Sequence, residues 1–565
     1  MAVEATCGPV LIVAGPGTGK TWTLTHRLAH LIADCGIAPE QCLALTFSRR
    51  AAAEMQQRLA RLLPEQAQRV PVMTFHALGL SILREHGSRL GLSPSLRVAT
   101  ETERRDLLAR TLLISPRAAE QLLERIARQK RRDQLCNPAQ AAEVAAAMTW
   151  YEREMRARQW VDFEDLVALP VRLLESNCDL VEYYRDRYRW ISVDEYQDID
   201  AVQYRLLRLL VPPHGNLCAI GDPDQAIYGF RGADVRYFQQ FGKDFPGART
   251  VLLRRNYRST QAIVEAALEV IAPRSLVPDR GMVACGLGPE QIEIHTCASE
   301  YAEAEFVVHS IERMLGGSSF FSLDSRRVTG HEAQAISFGE FAVLYRTESQ
   351  ADALVEALER SGIPFQRRSH RPLAEQPVVQ AILRQVLQMH AQCPARPVLE
   401  LVDQAAKHAG IPERTPDFNA IRFLAARHET DLGQFLSELA LGMDADLWDP
   451  RADRVSLLTL HAAKGLEFPV VFIVGCEQGL LPLYWGTPDE QALAEERRLL
   501  FVGMTRAQRR LILTCALKRR GRTTVRGSTV SPFLEGVRRE LLAFHQHPAA
   551  KRPARAHRQQ SLFDR

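Results

Sequence analysis

Two patterns of apolar residues follow one another along the chain: short continuous runs, and longer stretches in which apolar residues recur at helical steps. Val10 to Ala14 is a short apolar run that ends at glycines, and Lys20 to Ala33 follows with helical spacing. This order predicts a strand, a loop and a helix. Further runs that predict strands are Cys42 to Phe47, Val70 to Phe75, Trp190 to Val193, Leu217 to Ile220 and Thr250 to Leu253.

Residues 91–189 separate these runs and have a wholly helical pattern. Val144, Met148, Tyr151 and Met155, for example, recur at helical steps. Because predicted strands lie on both sides of the block, we interpret it as a helical insertion in one α/β domain made of residues 1–90 and 190–270.

A segment rich in proline and glycine precedes a second α/β region, residues 271–370 and 455–540. Residues 371–454 interrupt this region with another mostly helical insertion. The final stretch, 541–565, has little apolar content and several cations, so we expect it to be disordered. The predicted strands of the second region are Gln291 to His295, Phe341 to Tyr345, Ser456 to Leu460, Val470 to Val474 and Arg510 to Thr514.

Composition narrows the class of protein. At 565 residues, 46% hydrophobic and 24% charged, the chain is typical of a soluble protein of about three or four domains. The net charge of +4 is mild, so a nucleic-acid site would have to be a localised groove. We find no membrane span or signal peptide, and the eleven cysteines form no Cys-x-x-Cys pair. We therefore expect a cytoplasmic protein with no membrane partner and no zinc or iron–sulfur site.

The loop after the first predicted strand reads Ala14-Gly15-Pro16-Gly17-Thr18-Gly19-Lys20-Thr21. Glycines allow backbone N–H groups to approach a phosphate, and the start of a helix favours anions. We expect Gly15, Gly17, Thr18, Gly19 and Lys20 to bind ATP. Thr21 can ligate Mg²⁺. A plain glycine-rich turn is the alternative, and the strand, the Gly-Lys-Thr run and the helix together argue against it.

Adjacent carboxylates, Asp194 and Glu195, end the strand Trp190 to Val193. We expect Asp194 to hold Mg²⁺ and Glu195 to orient and deprotonate the attacking water. An Asp-Glu pair is common in proteins, so this interpretation depends on Lys20 lying in the same sheet.

A third loop runs Gly221-Asp222-Pro223-Asp224-Gln225-Ala226-Ile227-Tyr228-Gly229-Phe230-Arg231-Gly232-Ala233. It can contact a nucleotide phosphate through Gln225 and stack a base through Tyr228 or Phe230. It resembles the third motif of the UvrD/Rep/PcrA family of superfamily 1 DNA helicases. The resemblance extends from Val10 to about Pro532 and implies two RecA-like parallel-sheet motor domains, each with a mostly helical insertion.

By this resemblance, Arg258 and Arg506 reach the γ phosphate, Tyr257 stacks on the adenine, and Glu467 meets the ATP sugar. The charge on a transferring phosphoryl group must be neutralised, which is the physical need for such arginines. Since Arg506 lies in the second α/β region, the resemblance implies that ATP binds between the two motor domains.

The same resemblance implies binding of single-stranded DNA and of single/double-strand junctions. Phe47, His76, Tyr228 and Phe230 are the candidates for stacking bases, with a core aromatic as the alternative for each. Arg346 is a candidate contact to the DNA backbone. The resemblance also implies that Thr459 and His461 lie near the DNA strand. Asp162 to Leu166 is interpreted as supporting structure. The cluster Arg125, Arg128, Lys130, Arg131 and Arg132 could grip duplex DNA or form a solvated helix face.

The extreme end of the chain reads Gln559-Gln560-Ser561-Leu562-Phe563 and resembles the bacterial sliding-clamp-binding pentapeptide. Gln559, Ser561, Leu562 and Phe563 are the candidate contacts, with two apolar side chains entering a surface pocket of the clamp. A featureless disordered end is the alternative.

The family carries a glutamine-bearing segment upstream of the phosphate loop, whereas Lys20 is here close to Met1. We expect either that the natural protein starts earlier or that adenine is read poorly. The second insertion is much smaller than in UvrD or Rep, so the regulation of those relatives does not carry over.

We expect an ATP-dependent DNA helicase or translocase that moves 3′ to 5′ on single-stranded DNA and acts in DNA repair or replication. Two alternatives stay open. One is a clamp-tethered DNA-binding protein with impaired ATPase, and the other is a translocase that displaces proteins without unwinding DNA.

Overall fold

The computed structural model describes residues 1–131, 138–286, 288–316, 336–369, 372–393, 395–413, 415–484, 486, 489–520 and 529–547. Strands and helices alternate along most of this chain. The strands are β1 (Val10–Ala14), β2 (Cys42–Thr46), β3 (Val72–Thr74), β4 (Arg97–Val98), β5 (Trp160–Val161), β6 (Trp190–Val193), β7 (Asn216–Gly221), β8 (Arg249–Leu253), β9 (Arg255–Thr260), β10 (Val283–Gly286), β11 (Ile292–Cys297), β12 (Phe341–Tyr345), β13 (Phe365–Arg368), β14 (Val455–Thr459), β15 (Phe468–Ile473), β16 (Ala507–Ala516) and β17 (Leu542–Gln546).

Several helices begin at a side chain that caps the first turn. At the start of the fourth helix, Thr100 Oγ1 accepts from the Glu103 N–H at 3.3 Å, and the Glu103 carboxylate accepts from the Thr100 N–H at 2.9 Å. The helices are α1 (Lys20–Ala33), α2 (Arg49–Leu62), α3 (Phe75–His86), α4 (Glu101–Leu112), α5 (Pro116–Arg131), α6 (Pro138–Ala157), α7 (Asp165–Glu175), α8 (Cys178–Arg187), α9 (Ala201–Leu210), α10 (Arg236–Gln239), α11 (Phe241–Asp244), α12 (Gln261–Ile271), α13 (Glu300–Met314), α14 (Ala351–Arg360), α15 (Pro377–Gln392), α16 (Val398–His408), α17 (Pro416–Ala425), α18 (Leu432–Ala440) and α19 (Glu490–Met504).

The chain forms two compact units. The first contains Met1–Arg258, Ser275–Ala284 and Arg368–Asp449, and the second contains the described residues of Ser259–Arg274, Cys285–Arg367 and Pro450–Arg565. The first unit therefore contains residues of both helical insertions.

The sheet of the first unit has the strand order β3-β2-β6-β7-β1-β8, and its strand pairs are parallel. Apolar clusters cover the sheet, one containing Leu43 and Val193 and the other Ile12 and Ala44. Burial on both faces explains why these strands read as continuous apolar runs. The carboxyl ends of parallel strands share one edge, so the loops after β1, β2, β6 and β7 meet there.

The sheet of the second unit has the order β13-β14-β12-β15-β16-β11-β17. Its pairs β14–β12, β12–β15, β15–β16, β16–β11 and β11–β17 are parallel. The predicted fold class is confirmed: two parallel-sheet α/β domains of RecA-like type, each interrupted in sequence by a mostly helical segment. No helix of the described residues is long and apolar enough to cross a membrane.

Two expectations about irregular segments were wrong in part. Residues 91–189 are mostly helical but also contain the short parallel pair β4–β5. The tail expected to be disordered from residue 541 begins with β17, which pairs with β11 from Ile292↔Leu542 to Thr296↔Gln546. Burial of Leu541 and Leu542, together with the hydrogen bonds to β11, orders a segment whose composition looked solvated.

The basic cluster on α5 is not a uniform surface. Lys130 Nζ lies 2.6 Å from both Asp162 Oδ2 and Asp165 Oδ1, and its side chain is 1% exposed. Arg131 pairs with Glu164 at 3.2 Å. Lys130 therefore holds the 162–166 segment in place, which fits the supporting role predicted for that segment. Arg125 and Arg128, by contrast, are exposed on α5. Arg132 lies outside the described residues.

The second insertion packs its own core around α15 to α18 and also contacts the first insertion. The Val98 N–H donates to Ser437 Oγ at 3.4 Å. Glu375, in the turn before α15, has its pKa raised to about 8 by burial and by its hydrogen bond and repulsion with Glu101 at the start of α4. Burial and repulsion from Glu101 thus favour the protonated form of Glu375 in this contact.

We expect this contact to depend on pH. A carboxyl group whose pKa is raised by folding adds stability that is full at low pH and is lost as the pH rises through about 8. Glu375→Gln keeps the proton-like donor at every pH. It should raise the melting temperature above pH 8 by about 2 °C and flatten its pH dependence, as measured by thermal unfolding. Glu413→Gln, in the same insertion and exposed, should leave the profile unchanged; an unaltered Glu375→Gln profile would contradict the assignment.

Candidate nucleotide and nucleic-acid site

The loop between β1 and α1 has the shape needed to surround a phosphate. Gly17 and Gly19 have φ of 69° and 83°, a region that glycine enters without strain. Gly19 caps α1 without any side-chain hydrogen bond, which leaves the first N–H groups of the helix directed at the loop. Thr18 Oγ1 donates to the Gly15 carbonyl at 2.8 Å. The predicted phosphate loop thus has the required backbone.

Strand β9 packs directly against this loop. The Asn256 side chain donates to the Pro16 carbonyl and the Tyr257 N–H donates to the Gly17 carbonyl, both at 2.8 Å. A Cβ on Gly17 would lie 2.7 Å from Arg258 Cβ, so a larger residue would not fit. The structure therefore brings Arg258 beside the loop, and it leaves the Tyr257 ring 64% exposed.

The predicted carboxylate pair faces the same loop. Lys20 Nζ lies 2.8 Å from Glu195 Oε1. Asp194 is buried, and its pKa is raised to about 7, chiefly by burial and then by Glu195, against the opposing effect of Lys20. Glu195 has a φ of 52°, an uncommon value for a residue with a side chain. Such strain at a strand end is typical of functional sites.

A hydroxyl and a carboxylate are hard oxygen donors of the kind that Mg²⁺ prefers. Thr21 lies in the first turn of α1, and Asp194 directly follows β6 at the same sheet edge. The buried Asp194 carboxyl is costly to ionise without a cation, which fits a metal ligand.

A chain of hydrogen bonds connects the carboxylate pair to the third loop. Gln197 donates to Glu195, and its Oε1 accepts from the Asp222 N–H at 3.0 Å. Asp222 Oδ2 in turn accepts from Gln225 Nε2 at 2.6 Å. Gln225, the predicted contact to a nucleotide phosphate, is thus joined to Glu195 through Asp222 and Gln197. No sequence pattern indicated the role of Gln197.

Arg280 is a second residue of the site that sequence reasoning missed. Its guanidinium donates to Asp222 Oδ1 and Asp224 Oδ2, both at 2.7 Å, and its side chain is 8% exposed. Ser275 Oγ also donates to Asp224 Oδ2 at 2.6 Å. These residues come from the breaker-rich segment after β9, and no spacing in the sequence connects them with the third loop.

The candidate base-stacking aromatics fall into two groups. Phe47 and Tyr228 stack on each other with ring centres 4.8 Å apart, and Tyr228 is buried. Phe230 follows at 6.2 Å from Tyr228 and is 62% exposed. Phe230 is therefore the exposed aromatic of this loop, whereas Tyr228 is buried and Phe47 is half-buried.

His76 lies at the start of α3 and stacks on Phe163 with ring centres 3.8 Å apart. Its pKa is lowered to about 3 by burial and by Arg231, so the ring is neutral at physiological pH. Phe163, which belongs to the segment predicted to be supporting structure, thus covers one face of the imidazole.

In the second unit, Arg506 is buried. Its guanidinium donates to the carbonyls of Val502 at 2.9 Å and Leu466 at 3.2 Å. Glu467 is exposed and accepts from Gln508 at 3.3 Å. These contacts hold Arg506 in the turn that follows α19 and Glu467 in the segment between β14 and β15.

The predicted DNA contacts of the second unit lie after β12 and β14. Arg346 is held by Glu496 of α19, with Nη2 to Oε1 at 2.7 Å. Thr459 ends β14 and accepts from the Ala462 N–H at 3.2 Å, while His461 is half-buried. Parallel pairing of β12 with β14 places all three positions at one sheet edge.

We expect Gly221→Ala to disable the site. A Cβ at Gly221 would meet Gln197 Oε1 at 2.1 Å, which displaces the amide that joins Glu195 to Asp222. The variant should lose about 1–3 kcal/mol of stability and about tenfold or more of DNA-stimulated ATP turnover, measured by steady-state hydrolysis and thermal unfolding. Gly242→Ala is the matched control, because nothing lies within 4 Å of its Cβ; equal turnover in both variants would contradict the proposed path.

Family models match most of this chain. The family model of the UvrD/REP helicase N-terminal domain matches residues 1–246, and that of the UvrD-like helicase C-terminal domain matches residues 251–384 and 418–518. A solved C-terminal domain of a possible DNA helicase from Lactobacillus plantarum is similar over 51% of this chain and 98% of the solved chain. The two are 16% identical, and the TM-score is 0.23.

Curated relatives match over almost the full length. The ATP-dependent DNA helicase PcrA of Leuconostoc citreum is 32% identical over 96% of this chain and 84% of its own. Those of Staphylococcus aureus and Staphylococcus epidermidis are 29% identical over 96% of this chain and 86% of their own. The chain therefore belongs to the UvrD/REP family of ATP-dependent DNA helicases.

Proposed function

We propose that this helicase couples ATP hydrolysis to 3′-to-5′ movement along single-stranded DNA, separates strands at single/double-strand junctions, and serves DNA repair or replication in the cytoplasm. The observation that carries the proposal is the hydrogen-bonded path from Glu195 through Gln197 and Asp222 to Gln225. Three residues after Gln225 the same loop carries Tyr228, and Phe230 follows. One short segment thus connects the phosphate end of the site with its base-stacking end.

The chemistry follows from the groups at the phosphate loop. Lys20 and Arg258 neutralise charge on the phosphates, and Glu195 orients and deprotonates the attacking water. Mg²⁺, held by Thr21 and Asp194, would supply further charge neutralisation. Lys20 pairs with Glu195 at 2.8 Å. A phosphate that takes Lys20 as its partner would release the Glu195 carboxylate to accept a water proton.

Arg506 and Glu467 are proposed for the γ phosphate and the sugar, and Tyr257 for the adenine. The Arg506 guanidinium donates to neutral carbonyl oxygens. An anionic phosphate is a stronger acceptor than a carbonyl, which is the physical reason for proposing Arg506 as a phosphate contact.

For DNA, we propose that Phe230 stacks on a base and that Phe47, Tyr228 and His76 form the surface around it. Stacking contributes about 1–3 kcal/mol per base and tolerates any sequence. Thr459 and His461 are proposed beside the strand. Arg346 is proposed to contact the DNA backbone, with Glu496 holding its guanidinium through Nε and Nη2.

A pair of variants tests the coupling. Lys20→Ala should reduce DNA-stimulated hydrolysis about 100-fold or more and leave single-strand binding nearly intact, because it removes charge from the phosphate site alone. Phe230→Ala should retain hydrolysis and lose about tenfold or more of strand separation, because it removes the exposed stacking ring. Hydrolysis, strand separation and displacement of a bound protein are measured side by side.

The outcomes separate the candidate functions. Turnover retained by Lys20→Ala would overturn the phosphate-loop assignment, and unchanged unwinding by Phe230→Ala would overturn its role. DNA binding without turnover in the unaltered chain would indicate a DNA-binding protein with impaired ATPase. Protein displacement without strand separation would indicate a translocase that does not unwind.

We further propose that the tail binds the bacterial sliding clamp through Gln559, Ser561, Leu562 and Phe563. These residues lie outside the described residues, so the proposal depends on the sequence Gln-Gln-Ser-Leu-Phe alone. Leu562 and Phe563 provide two adjacent apolar side chains in a segment otherwise rich in cations, which suits insertion into an apolar pocket.

Replacing both Leu562 and Phe563 by alanine should weaken clamp binding about 100-fold, because these side chains supply the apolar contact. Hydrolysis of ATP should be unchanged. Binding is measured by titration of purified clamp with the full chain. Lys551→Ala with Arg552→Ala, which changes tail charge only, is the control; equal clamp affinity of the two double variants would refute the assignment.

A further inference from the structure

Three imidazoles and a carboxylate meet at the edge of the second sheet, in a place that the helicase motifs do not use. Strand β11 carries Glu293 and His295 on one face. Edge strand β17 carries His545 directly opposite His295, and His547 follows it. The rings of His295 and His545 stack with centres 4.6 Å apart, and His547 lies 5.1 Å from His295.

The donor atoms of three of these residues are within reach of one ion. Ligand atoms of Glu293, His295 and His545 all lie within 4.8 Å of one another. A tetrahedral metal site with bonds of about 2.1 Å places its ligand atoms about 3.4 Å apart. His295 is buried and fixed, Glu293 is half-buried, and His545 is exposed and can turn its ring to close the remaining distance.

We propose that Glu293, His295 and His545 bind one divalent metal ion of the first transition row, most favourably Zn²⁺. This ion would link β17 to β11. Two imidazoles and a carboxylate are typical ligands of Zn²⁺, whereas Mg²⁺ prefers oxygen ligands and retains several waters. The exposed side of His545 leaves a fourth position for water. This site is separate from the Mg²⁺ proposed at Thr21 and Asp194.

Side chains next to the proposed ligands form hydrogen bonds with them and so fix their orientation. His295 Nδ1 lies 2.8 Å from His547 Nε2, and His295 Nε2 lies 3.0 Å from Glu293 Oε2. A metal on Nε2 would place the ring proton on Nδ1, where His547 can accept it. Arg510 binds the other carboxylate oxygen of Glu293, which leaves Oε2 for the ion.

The location gives the ion a structural role. Among the residues that the structure describes, β17 is the last strand of its sheet and has β11 as its one neighbouring strand. Edge strands are held by fewer hydrogen bonds than central ones. An ion shared between neighbouring strands would therefore add to the backbone pairing and to the packing of His547 on Phe306, whose ring centres are 4.6 Å apart.

The test uses the tag-free full chain, stripped with a chelator and kept reduced, and Zn²⁺ alone as the probe. Equilibrium dialysis should give one equivalent of Zn²⁺ that is lost in His545→Ala and in Glu293→Gln. His547→Gln should weaken binding about 10–100-fold, as changes next to metal ligands do. His408→Ala, an exposed histidine of α16 far from this strand pair in sequence, is the matched control and should bind like the unaltered chain.

Hydrogen exchange of the peptide that covers residues 542–547 provides a readout beyond binding. Zn²⁺ should slow exchange there about tenfold or more in the unaltered chain and have no effect in His545→Ala. Equal retention of Zn²⁺ by His545→Ala and His408→Ala would place the ion elsewhere, for example on exposed cysteines, and would overturn the proposal. Absence of any retained Zn²⁺ in the unaltered chain would overturn it as well.

Discussion

The contact between Gln197 and Asp222 is the constraint on which the first unit's site depends. Gln197 reaches Asp222 because Gly221 has no side chain, and a Cβ there would lie 2.1 Å from Gln197 Oε1. Through this amide the loop after β6 and the loop after β7 share one hydrogen-bonded network. Gln225 joins the same network through its hydrogen bond to Asp222 Oδ2.

Parallel pairing explains why residues far apart in sequence act together. The loops after β1, β2, β6 and β7 leave the sheet at the same edge. This edge therefore collects Lys20, Phe47, Glu195 and Gln225. The second sheet repeats the principle with Arg346 and Thr459 at the ends of paired strands.

Sequence predicted the features that depend on local pattern. Apolar runs located the central strands within one or two residues at most ends, and the glycines of the phosphate loop have the backbone that the motif requires. Arg280 could not be predicted, because its role comes from packing between segments 58 residues apart. β17 was missed because its pairing with β11 compensates for a polar composition. The histidine cluster could not be predicted either, because only the pairing of β17 with β11 brings His545 opposite His295.

Buried cations between two carboxylates recur at positions where a loop must keep one conformation. Lys130 lies between Asp162 and Asp165, Arg280 between Asp222 and Asp224, and Arg519 between Glu303 and Glu477. Burying such charges costs several kcal/mol per ion, so these groups contribute less to stability than apolar packing would. Their geometry, however, permits one arrangement, since a displaced carboxylate would be left buried and unpaired. In the first unit this requirement fixes the third loop at Asp222 and Asp224, and so sets where Gln225 and Phe230 stand.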